Sequence, residues 1–151
     1  MIEIAVLNLI LLPVTYLYLV PRITHGAVFF RRKTILSIAM FSICIGAVSV
    51  PIFWFLMMFV GEGLIGALYE CLPKPVSVAP EWMTAPMMIC FTLLVAQSTF
   101  FATTLIFSKI APQILHAESA LAVWKAAWIP SICTITLAFT VFALHRFFSS
   151  V

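Results

Sequence analysis

No aspartate occurs in this chain, and its only acidic residues are five glutamates. Charged residues make up 9% of the whole, against roughly a quarter in ordinary soluble domains. Hydrophobic residues make up 64%. A fold in water has too little interior to hide that much apolar surface, which excludes a soluble enzyme or carrier. Charge is missing above all from the long apolar runs. Ionisable groups at bilayer depth mark proton relays, coupling-ion sites and voltage sensors. With none in the runs, the chain by itself is not expected to couple transport to protons or sodium.

Other absences exclude further chemistry. The basic residues form no broad stripe interleaved with exposed aromatics, so no nucleic-acid partner is expected. Cys44, Cys71, Cys90 and Cys133 contain no C-x-x-C pair, which a quinone-linked thiol oxidase would need. Haem ligands must face one another at a common depth, but His25 and His116 fall in connections on one side and His145 on the other. There is no nucleophile motif, glycine-rich phosphate loop or zinc-ligand spacing. No catalytic residue, metal or cofactor is therefore expected.

What the chain does contain is four apolar runs, over about residues 4–20, 34–60, 86–107 and 126–144. Three of them suit the roughly 17 to 25 residues that a helix needs to cross the hydrocarbon, and the run 34–60 is longer, which predicts tilt or a kink. The expected fold is all-α: one integral membrane domain over residues 1–151, with four transmembrane helices and short interfacial helices between them. The first run lacks a basic leader and a small-x-small cleavage site and is taken as a retained span. Pro13 and Pro51 each remove a backbone donor and predict kinks. Asn8 predicts a packing hydrogen bond, and Tyr16 and Tyr18 an interfacial belt.

Between the first two runs lies Arg22 to Lys33, with Arg22, Arg31, Arg32 and Lys33 and no acid. These four residues orient the chain and are placed to meet lipid headgroups. With them on the cytoplasmic side, Lys109 and Lys125 fall there too, giving six basic residues against Glu118. The other side holds Lys74 and Arg146 against Glu3, Glu62, Glu70 and Glu81. Both termini are then expected on the non-cytoplasmic side, and the localisation expected is a bacterial inner membrane.

Two connections are expected to lie on the membrane surface. In Gly61 to Ala85, the residues Leu64, Ile65, Leu68 and Leu72 recur at helical spacing before Pro73, Pro75 and Pro80. Cys71 and Cys90 both lie towards this side, close enough in the chain to consider a disulfide. Gln113 to Lys125 is also amphipathic and is expected in the interface.

Two spans carry polar or small residues in register. Ala39, Ser42, Gly46 and Ser49 follow at steps of three or four and predict a strip for close helix packing. In the third run Thr92, Ala96, Thr99 and Thr103 form one stripe, and Gln97, Thr104 and Ser108 another about 140° round the helix. A helix polar on two sides belongs in the middle of a bundle. Its hydroxyls either bond back to their own helix or line a polar path along Thr92, Gln97, Thr99, Thr103 and Thr104.

The functional expectation is a non-enzymatic multi-pass protein that acts by helix–helix association, as a subunit or a regulatory or protective partner of an inner-membrane assembly. Its partners would be the lipid bilayer and other membrane proteins or copies of itself. The alternative is a homo-oligomeric channel lined by the third span. A third reading is an interfacial enzyme on lipid or quinone using Glu62, Glu70 or His145.

Overall fold

The computed structural model describes residues 2–60, 63 and 81–149. Most of the chain is helical, and four helices are long and apolar enough to cross a membrane. The first crossing is made of three pieces: α1 (Ile2–Val14), a π-helical turn (Thr15–Leu19) and α2 (Val20–Ile23). After it come β1 (Val28–Phe30), α3 (Ile35–Val60), α4 (Glu81–Ile110), β2 (Leu115–Ala117) and α5 (Ala120–Ser149). The expected interfacial helix over Leu64 to Leu72, and Cys71, lie outside the described residues.

Three of the four crossings overrun the expected spans, and α3 keeps within its own. Polar residues end an apolar run in the sequence, but a helix continues through the headgroup region as long as its backbone bonds are met. Thus α4 begins at Glu81 and α5 ends at Ser149. Helix α3 runs through Pro51, and α5 through Pro130. In the first crossing Pro13 is followed by the π turn, in which the Val20 amide reaches back five residues to the Thr15 carbonyl. The Thr15 hydroxyl donates to the Leu12 carbonyl at 2.8 Å. The wider winding brings Leu12, Thr15, Tyr16 and Val20 together on the buried side.

The four crossings form a ring. The first packs against α3 and α5, and α4 against α3 and α5. Of the apolar stretch in α4, 39% of the residues are buried, against 17–22% in the other three, so α4 is the most enclosed helix of the ring.

The connection Gln113 to Lys125 is not a short interfacial helix of its own: Leu115–Ala117 forms a strand, and helix resumes at Ala120. That strand pairs antiparallel with β1, in the register Val28↔Ala117, Phe29↔His116 and Phe30↔Leu115. Bonds from the Arg31 amide to the Ile114 carbonyl (2.8 Å) and from the Glu118 amide to the Ala27 carbonyl (3.0 Å) extend it at both ends. The side chains of Val28, Phe30 and Leu115 turn inward and are completely or almost completely buried. The ribbon thus closes one end of the bundle with backbone groups that satisfy one another, as they must close to lipid.

The chain is shaped to enter the ribbon. Helix α2 ends with the Gly26 amide bonded to the Pro21 carbonyl at 2.9 Å, six residues spanned in all. His25 occupies the left-handed position that usually takes glycine, with φ 53°, and Gly26 follows at φ 81°. Pro112 stops α4, and Ser119 caps α5 by accepting the Ala122 amide at 3.1 Å.

Behind the ribbon lies an aromatic cluster. Phe41 of α3 meets Tyr16 at 4.8 Å, Phe30 at 4.9 Å and Phe107 of α4 at 5.0 Å between ring centroids, each edge to face. One ring therefore joins three elements to its own helix. Phe41→Ala should cost about 2 kcal/mol in unfolding titrations in mixed micelles. That is less than in a water-soluble core, because lipid replaces water as the reference and leaves mainly the cavity term. Gly26→Ala should cost about 1 kcal/mol in the same assay, from its left-handed backbone alone.

Candidate functional site

Polar side chains inside the bundle link its helices directly. Gln97 of α4 is fully buried, and its amide Nε2 donates to the Trp124 carbonyl of α5 at 2.7 Å. Its Oε1 faces the Ser131 hydroxyl of α5 at 3.3 Å. That hydroxyl also donates to the Ala127 carbonyl, at the shorter 2.6 Å, so its one hydrogen is shared towards two acceptors. Asn8 of α1 accepts from the Thr134 hydroxyl of α5 at 3.1 Å, the packing bond expected of it. The Tyr16 hydroxyl meets Thr104 of α4 at 2.5 Å.

This last link crosses the ring. The first crossing and α4 do not pack side by side, and the length of a tyrosine side chain spans the gap between them. Tyr16 is 1% exposed and so is not part of an interfacial belt, while Tyr18, two residues on, is 63% exposed. The π turn directs one tyrosine inward and leaves the other outside.

The residues of the expected polar path separate into two groups. Thr99 and Thr103 bond back to the carbonyls of Val95 and Thr99 at 2.7 and 2.8 Å. Ser108 does the same to Leu105 at 2.8 Å. Gln97 and Thr104 bond to other helices. Thr92 is half-buried near the other end of α4. Gln97, Thr99, Thr103 and Thr104 are all enclosed within the bundle, at most 3% exposed. No buried side-chain nitrogen or oxygen among the described residues lacks a partner.

The small-residue strip of α3 lies along α1. A Cβ placed on Gly46 would sit 3.8 Å from the Leu9 side chain, in ordinary contact. Ser42 is buried and bonds back to the Ile38 carbonyl at 2.9 Å, and Ser49 to Gly46 at 3.4 Å. Ala39 is exposed. It opens into a groove of about 400 Å³ between α1 and α3, lined by Leu9, Pro13, Ile35, Ile38, Ser42 and Ile43.

At the ribbon end, Arg22, Arg31, Arg32, Lys33, Lys109 and Lys125 are all exposed. No three histidine, cysteine or acidic side chains converge as a metal site among the described residues. Cys44, Cys90 and Cys133 are free thiols. Glu62 and Glu70 lie outside the described residues, and His145 is exposed on the last turns of α5, 3.5 Å from the Ser149 hydroxyl.

Sequence reasoning missed Tyr16, Ser131 and the Trp124 carbonyl as partners. The spacing Leu12, Tyr16, Val20 was the available signal for Tyr16, since it continues an apolar face. Ser131, directly after Pro130, offered a second. Replacing Gln97 by Leu should cost about 1 kcal/mol in micellar unfolding, the usual size of an interhelical hydrogen bond in lipid. Tyr16→Phe should cost a similar amount, and the two should add, because they share no partner. Gln97→Leu with Ser131→Ala should fall short of additivity. No protein-family model, curated protein or solved structure matches the chain, so its function is read from these residues alone.

Proposed function

We propose that this protein acts by association with another membrane helix, as a non-enzymatic subunit or as a regulatory or protective partner of a larger assembly in a bacterial inner membrane. The observation that carries this reading is the groove between α1 and α3. Its wall includes Ala39, whose small side chain is exposed at bilayer depth, and Pro13, which has no amide to offer. Without a hydrophobic force between helices in lipid, association depends on close approach and shape, and a small residue in a groove permits both. The polar groups that would serve chemistry or permeation are already used inside the bundle. A pore between copies lined by Gln97 and Thr104 would require those buried side chains to leave their partners on other helices.

In this reading the basic end faces the cytoplasm and both termini lie on the opposite side. The support is the excess of lysine and arginine on the loops around the ribbon. The pairing of β1 with β2 supplies the parity, since it holds those two loops at the same end of the bundle.

The mass of the complex extracted in mild detergent tests the association. The wild-type protein should run as more than the 16.8 kDa chain with its detergent. Ala39→Trp, which fills the groove, should reduce that mass to a single chain while leaving helical circular dichroism unchanged. A wild-type protein that runs as a single chain in several mild detergents overturns the reading.

A further inference from the structure

We propose that the corner formed by Arg31, Arg32, Lys33 and Lys109 binds the phosphodiester headgroup of anionic phospholipids in preference to zwitterionic ones. In the sequence Arg31, Arg32 and Lys33 precede α3, whereas Lys109 lies in the last turn of α4. The fold joins them. The Arg31 amide is bonded to the Ile114 carbonyl, just beyond the end of α4, and the Phe41 and Phe107 rings clamp the start of α3 to the end of α4. The four charges are therefore held at one corner by backbone and core contacts, not by contacts of their own.

Their depth is set by their neighbours. Ile35, two residues after Lys33, is 89% exposed, and Ile110, next to Lys109, is 77% exposed. Side chains of that kind sit in the acyl region, so Lys33 stands just outside it, and Lys109, one residue before Ile110 in the last turn of α4, reaches the phosphates by extending its stem outward. None of the four makes a hydrogen bond or ion pair through its side chain with a described residue. The single acid at this end is Glu118, on the far side of β2, against six basic residues.

A headgroup with a net negative charge offers this corner a counter-charge that a choline or ethanolamine headgroup largely cancels with its own ammonium. Each basic residue near an anionic membrane surface contributes enough for roughly a fivefold change in binding.

The test is native mass spectrometry of the purified protein from mixed micelles containing phosphatidylglycerol and phosphatidylcholine in equal amounts. Lys109→Gln is the informative variant, because the orientation signal at Arg31 to Lys33 stays intact. The wild-type protein should retain phosphatidylglycerol at least tenfold over phosphatidylcholine at low salt. Lys109→Gln should lower that ratio about fivefold, and Arg146→Gln, at the opposite end, should leave it unchanged. Raising salt to 0.5 M should reduce the ratio in the wild type without any substitution, as expected of exposed charges. Equal retention of the two lipids, a ratio indifferent to salt, or equal losses in the Lys109 and Arg146 variants would overturn the proposal. Displacement of the lipid by millimolar inorganic phosphate would also overturn it, by making a free anion the ligand.

Discussion

Four helices in a ring leave a middle that must be filled, and in this protein Tyr16 fills it. Its ring stacks edge to face on Phe41, its hydroxyl finds Thr104 on the opposite side, and Phe30 of the ribbon closes over it. Lipid gives no hydrophobic reward for bringing helices together, so shape and a few polar contacts must hold them. A large residue with a polar tip supplies both. It lies in the π turn that follows Pro13, on the face that Leu12 and Val20 continue.

The spans were legible in the sequence because bilayer thickness imposes a length on any helix that crosses it. The greater burial of α4 was legible as well, since a helix polar on two sides is poorly suited to face lipid, although in the ring it has two neighbours like each of the others. The partners of those polar groups were not. Gln97 bonds to a backbone carbonyl, which has no letter in the sequence. Whether a threonine bonds inward, like Thr104, or to its own helix, like Thr99, depends on a few degrees of rotation. The ribbon was hidden for another reason. Three-residue strands carry almost no periodicity, and Val28–Phe30 lies in a stretch whose basic charges point to topology alone.

The polar residues divide the work by depth. Near the ribbon the core is sealed by aromatic rings and a backbone ladder. Further in, Gln97 with Ser131 and Asn8 with Thr134 tie α5 to two other helices. Beyond Ser131, α5 turns mostly apolar side chains outward, and the hydroxyls of Thr136 and Thr140 are satisfied by their own helix. The outer surface is therefore compatible with lipid along its whole length. For the partner helix proposed above, specificity would come from contour, and the groove beside Ala39 supplies it.

The ribbon also has a bearing on the order of assembly. Its strands are separated by two complete membrane crossings, with Phe30 opposite Leu115. During synthesis β1 emerges long before its partner exists, and its backbone groups must remain hydrated until α4 has crossed and returned the chain to the same surface. Pairing thus comes after both intervening helices have been made. It works as a latch: the register of six residues joins segments that only the completed α3 and α4 bring to one end of the bundle.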